Sequence, residues 1–233
     1  MNEVCLIIGI VFLINVIIGW AHGLFRVLIS VAGVIAGILI GLYFAPTVSG
    51  YLKENTDTDE KLAVYIAHEL DFSKDSDNES KGVQVEIIEG LPLPNVMKNN
   101  ILNNNNVETY DVLEAIGVYD YISKSIAVVI LNGGVFLVLS LFCVVIFKFL
   151  GLLAKGIQSI PIIKSIDRLG GGMLGAIKGL IIIWIFFLVL SITSTIPASQ
   201  DLIQKVCESN VLKLLYENNV LLDIVGNLHN IIF

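Results

Sequence analysis

The sequence predicts an all-α polytopic membrane protein: four transmembrane helices, an extracytoplasmic insertion between the second and third, and a C-terminal amphipathic helix. Three observations carry that prediction. Hydrophobic residues make up 55% of the 233-residue chain and charged residues only 15%, with a mean hydropathy of +0.83, whereas soluble domains carry about a quarter charged residues. Four apolar stretches, Val4 to Trp20, Val27 to Phe44, Ile126 to Phe147 and Met173 to Ile196, approach the roughly twenty residues that cross a hydrocarbon core. Lastly, the charges are segregated between the connections. Arg26, Lys148, Lys155, Lys164, Arg168 and Lys178 flank the first and third connections against one acid, Asp167, while the second connection holds six lysines against fifteen acids. The positive-inside bias then places the basic connections in the cytoplasm, and the termini and residues 51–125 outside.

The first two helices, about 4–20 and 24–44, form a hairpin within residues 1–50, because only Ala21, His22 and Gly23 separate the first apolar run from Leu24. A signal peptide is the rival for the first run, but it carries Glu3 in place of a basic leader and ends without a small-x-small cleavage site. The second helix bears glycines every fourth residue, Gly33, Gly37 and Gly41, which stack on one helical face and let another backbone approach closely. Pro46 is expected to close it.

Residues 51–125 form an acidic insertion with a net charge of −9, exceeding the −7 of the whole chain. A short helix capped by Asp57 or Thr58 carries Leu62, Tyr65, Ile66 and Leu70 on one face. An acidic loop follows over 71–81; its Asp75, Asp77 and Glu79 lack the glycine and terminal glutamate of a calcium loop. Val83 to Ile88 reads as strand or helix, Leu91 to Pro94 as extended chain, and Val107 to Ile116 as a helix. These apolar faces are too short for a separate core, so the insertion is expected to lean on the membrane surface.

The second transmembrane pair spans 126–197, with helices about 126–150 and 170–196 joined by the basic connection. The entry to the last helix reads DRLGGGMLGAIKG from Asp167, with a second ladder at Gly171, Gly175 and Gly179. A phosphate loop is its rival, but no strand precedes the glycines and neither Ser nor Thr follows Lys178. Two close-packing faces need partners: each other, the third helix near Asn132, Gly133 and Gly134, or a second copy across a dimer axis. Asp167 is expected to cap the fourth helix. Arg26, Lys148 and Lys178 lie near the cytoplasmic boundary, where long side chains reach headgroups. Asn15 and Asn132 are expected to make interhelical hydrogen bonds. In the tail, 198–233, Leu214, Leu215, Leu221, Leu222, Val225, Leu228 and Ile232 share a face opposite Lys213, Glu217, Asp223, Asn227 and Asn230. That helix would lie in the interface, or pack on the bundle or the acidic insertion.

No reaction chemistry is visible. His22, His68 and His229 are too scattered for a metal site, and Cys5, Cys143 and Cys207 form neither a disulfide framework nor a ligand cluster. Serines and threonines in the spans lack a neighbouring base. The sequence therefore predicts no enzyme, no catalytic residue, no cofactor, no metal, no nucleic acid and no identifiable small-molecule substrate. Its partners are the lipid bilayer and either further copies of itself or another membrane protein.

Gly23-Leu24-Phe25-Arg26 at the hairpin turn, Asp167-Arg168-Leu169-Gly170, Gly175-Ala176-Ile177-Lys178-Gly179 and Ser209-x-Val-Leu in the tail together resemble the colicin V production protein (CvpA) family of bacterial inner-membrane proteins. The resemblance covers about two-thirds of the chain. The chain departs from it at Val27, where many members carry an acid, and in the longer segment Tyr51 to Lys124. The resemblance implies a role in production or export of a secreted bacteriocin and in envelope maintenance, with no known reaction. It singles out Arg26, Asp167, Arg168 and Lys178 as motif positions beside the two glycine ladders. The leading expectation is a non-enzymatic inner-membrane assembly or accessory protein; the alternative is a small oligomeric channel or transporter lined by Asn15, Asn132 and Ser140.

Overall fold

The structure, a computed structural model, describes residues 3–72, 81–91, 93–153 and 164–227. Within them the chain is helical, with no strand. The helices are α1 (Glu3–His22), α2 (Leu24–Asn55), α3 (Thr58–Glu69), α4 (Lys81–Gly90), α5 (Asn95–Asn103), α6 (Val107–Val112), α7 (Val118–Leu153), α8 (Lys164–Ile192), α9 (Pro197–Cys207), α10 (Asn210–Glu217) and α11 (Val220–Asn227). α1, α2, α7 and α8 are long and apolar enough to cross a membrane. The acidic loop with Asp75, Asp77 and Glu79, together with Pro92, Lys155, Leu228, His229, Asn230 and Ile232, lies outside the described residues.

Two compact units divide the chain: residues 1–44 with 136–186, and residues 45–135 with 187–233. In the first, α1 buries only Val4, Ile8 and Gly19, while Ile7, Ile10, Leu13, Ile14 and Ile17 are exposed. That is the pattern of a helix with one narrow face on protein and the rest of its apolar surface left for lipid.

The second unit has a hydrophobic core of its own. Ile66, Ile88, Met97, Tyr121, Ile122, Ile126, Leu222 and Val225 are all almost fully buried. Along α7, Ile126, Ala127, Val128 and Val129 are buried in succession, which at 100° per residue closes the whole circumference of the helix. Around it α4 and α11 each pack on α5. Tyr121 stacks on Tyr110 with ring centroids 4.7 Å apart, and its hydroxyl donates to the Ile101 carbonyl at 2.7 Å. The expectation that the insertion lacks a core considered its apolar faces alone; the start of α7, the end of α8 and the tail supply the remainder.

Several boundaries differ from expectation for identifiable reasons. Pro46 lies inside α2, which runs on to Asn55; Ser49 Oγ donates to the Ala45 and Pro46 carbonyls beside it. Side-chain hydroxyls of this kind help a membrane helix tolerate proline. α7 begins at Val118, eight residues before the apolar run, and α8 ends at Ile192, short of the expected end at 196, with Pro197 opening α9. Residues 83–88 are helical within α4. α3 starts at the predicted place with Asp57 as its N-cap residue, yet no side-chain cap bond forms, and Ala63 and Ile66 are buried while Tyr65 is exposed.

Over its described residues the tail holds α9, α10 and α11, and the stretch expected to be one amphipathic helix is split between α10 and α11. Asn219, almost fully buried, separates α10 from α11, its Oδ1 accepting the Leu221 N–H at 3.0 Å. Buried Leu212 and Tyr216 form the inner face of α10, and Leu214 is exposed. Breaking the helix resets the phase between Leu214 and Leu221, which no continuous 3.6-residue period allows.

Candidate functional site

The residues singled out by the sequence converge at the α1–α2 turn. Gly23 sits between the two helices with φ of +80°, a left-handed conformation that other residues adopt only with strain. Its N–H donates to the Gly19 carbonyl at 3.0 Å. Against this turn rests Asp167, in the first turn of α8. Asp167 Oδ1 accepts the Leu24 N–H at 2.9 Å. The carboxylate therefore satisfies an orphan donor at the start of α2 rather than capping α8, as the sequence had suggested.

The ladder on α8 packs on α1. A Cβ built on Gly171 would collide with the Gly19 carbonyl oxygen, and one on Gly19 would collide with that of Gly171. A Cβ on Gly175 would lie 2.5 Å from the Asn15 carbonyl oxygen and 3.2 Å from Gly19 Cα. Gly179 is looser, its nearest neighbours being Phe12 Cδ2 at 3.2 Å and Asn15 Cβ at 3.3 Å. α1 answers with a spacing of its own: Asn15, Gly19 and Gly23 recur every fourth residue. That repeat is the sequence signal for the partner, which Asn15 obscures by interrupting the glycine pattern.

The α2 ladder packs on α7. A Cβ on Gly33 would lie 2.9 Å from Phe147 Cβ, and one on Gly37 2.8 Å from the Ser140 carbonyl oxygen. Gly41 faces the Ser140 hydroxyl and Phe136. The third helix is thus one of the partners expected, but at Phe136 to Phe147 rather than at Asn132 to Gly134. In the second unit Gly133 faces Ile192 and Val225, and a Cβ on Gly134 would meet nothing within 4 Å. The ladders do not pack on each other, and both are filled from within one chain.

The remaining motif side chains divide by burial. Lys178 is half-buried, and its Nζ donates to Ser30 Oγ of α2 at 2.8 Å. Arg26 and Arg168 are exposed. Asn15, expected to bond across helices, donates instead to the Val11 carbonyl of its own helix at 2.9 Å. Asn132 is almost fully buried, with neither amide atom hydrogen-bonded. Among the described residues no three His, Cys, Asp or Glu side chains come together as a metal site would require. In the second unit, the Tyr216 phenol lies 3.3 Å from Ser191 Oγ, which donates to it, and edge-on to Phe187. Burial pushes Tyr216 up to about 12, with the Ser191 hydroxyl opposing that shift.

A family model described as colicin V production protein matches residues 5–71 and 115–219. The match embraces the turn, both ladders and most of the tail, and it breaks across 72–114, within the long insertion. No curated protein and no solved structure matches the chain.

Proposed function

Because the chain belongs to the colicin V production protein family, we propose that it is a non-enzymatic accessory or assembly protein of the bacterial inner membrane, serving bacteriocin export and envelope maintenance. The observation that carries the reading is the turn at Gly23. Asp167, Gly19, Gly171 and Gly175 serve helix packing and capping there, and their side-chain and backbone groups face one another. The segregated charges support an orientation with this turn in the cytoplasm and with the termini and residues 51–125 outside. With the ladders filled internally, an oligomer or a membrane partner would use other surfaces. Exposed Val64 on α3, Val107 on α6 and Val211 and Leu214 on α10 are candidates.

Extraction in native lipid followed by crosslinking tests the role: a second copy or a membrane protein should copurify, and a strictly monomeric protein with no crosslinked neighbour would refute it. The side follows from Cys207, which is exposed on α9. In a chain with Cys5→Ser and Cys143→Ser, a membrane-impermeant maleimide should label Cys207 on intact spheroplasts; labelling only after lysis would reverse the orientation.

A small channel or transporter is the second reading, favoured by the buried and unpartnered amide of Asn132. Reconstituted protein that passes no ion or small solute under a gradient would remove it.

A further inference from the structure

We propose that Lys148, Lys178 and Ser30 form a binding site for the phosphate headgroup of an anionic lipid. Three helices of the first unit meet at this place. Gly33 of α2 packs on Phe147 of α7, so Ser30, one turn earlier on α2, and Lys148, the residue after Phe147, lie toward the same end of that contact. From α8, Lys178 Nζ reaches Ser30 Oγ at 2.8 Å. The two ammonium groups thus belong to helices that both contact α2 near Ser30.

Among the described residues, neither lysine has a carboxylate within ion-pair distance. Asp167, the acid in the first turn of α8, is engaged at the Leu24 N–H. Two like charges on apolar helices that flank Ser30 call for an anion, since charge beside hydrocarbon is costly unless compensated. Each ammonium has three donors, and Lys178 directs one of them at Ser30, so several remain for phosphate oxygens.

The surroundings select a lipid over free phosphate. Ile29 beside Ser30, Ile146 and Phe149 beside Lys148, and Ile177 beside Lys178 are all exposed. An anion bound here would be rimmed by apolar side chains, which suits a headgroup continuing into acyl chains. Basic sites between membrane helices recognise anionic headgroups in this manner.

The full chain in a neutral maltoside detergent, titrated with phosphatidylglycerol or phosphatidylcholine and read by native mass spectrometry, tests the site. Phosphatidylglycerol should be retained in preference to phosphatidylcholine, and millimolar inorganic phosphate should not displace it. Lys148→Gln should weaken retention about five-fold and Lys148→Gln/Lys178→Gln further, while Lys178→Arg should preserve it. Lys148 is exposed, so its variant tests the site even where substitution at Lys178 impairs folding. Equal retention of phosphatidylcholine, unchanged binding in Lys148→Gln, or displacement by inorganic phosphate would each overturn the proposal.

Discussion

Asp167 Oδ1 accepts the backbone N–H of Leu24 at 2.9 Å, joining the first turn of α8 to the first turn of α2 across 143 residues of sequence. The contact performs three tasks at once. It satisfies a donor that no intrahelical carbonyl can reach, places a negative charge at the positive end of α2, and closes over the Cα of Gly23. A motif split between two distant segments thus becomes one structural feature.

Removing that cap separates its parts. Asp167→Ala should destabilise the protein by about 1 kcal/mol, the usual worth of a lost N-cap acceptor, and Asp167→Asn by less because an acceptor oxygen remains. Gly23→Ala should be the more damaging, since its Cβ meets the Asp167 carboxylate and its φ of +80° adds strain. Thermal unfolding in detergent checks the order; Gly23→Ala equal to wild type would contradict the geometry.

The glycine contacts predict a gradient along α8. Gly175→Leu drives a side chain into the backbone of α1 at Asn15, and should cost at least the 1–3 kcal/mol typical of overpacking. Gly179→Ala meets movable side chains and should cost less. Gly9→Ala, with nothing within 4 Å, should be neutral or stabilising by roughly 0.5–1 kcal/mol through helix propensity. Melting temperatures in that order are expected, with proximity crosslinking between residues of α1 and α8 lost only in Gly175→Leu.

Alkaline pH should weaken the second unit through Tyr216. Its pKa is raised to about 12 by burial in the folded protein, against about 10 for an exposed phenol. The folded state therefore holds its proton longer than the unfolded state does. The contribution is complete below pH 10 and is lost as pH rises through 12. Phenolate absorbance followed against pH should show a late transition whose amplitude falls by one tyrosine in Tyr216→Phe; ionisation of all tyrosines near pH 10 would refute the burial.

The tail should stabilise the insertion. Leu222 of α11 is almost fully buried, and α11 packs on α5. Leu222→Ala should cost about 2–5 kcal/mol, as leucine truncations in a core do. Limited proteolysis should then cut within residues 95–103 sooner than in wild type. Unchanged protection would show that the tail and insertion are independent.

Much of this architecture is legible in the chain because membrane spans are set by local composition. Four apolar stretches give four long helices with the short hairpin turn in its expected place. Their ends are less legible, since apolarity marks where hydrocarbon or protein excludes water and helix hydrogen bonding does not stop there. α2 and α7 accordingly run past the residues that announced them. The tail illustrates the opposite error: a periodic pattern drawn from Leu214 onward assumed one continuous helix, and Asn219 interrupts it.

By itself the sequence determined the helical class, the four spans, the family motif and the spacing of small residues that permits backbones to approach. Each of these depends on residues close together in the chain. Only the tertiary structure decided which faces meet: the Gly171 ladder with Asn15 and Gly19, the Gly33 ladder with Ser140 and Phe147, and Asp167 with Leu24. Glycine faces carry no label for their partner, because close packing depends on the absence of a side chain and one bare surface resembles another. The choice follows from how the helices fill space together, which no local segment encodes.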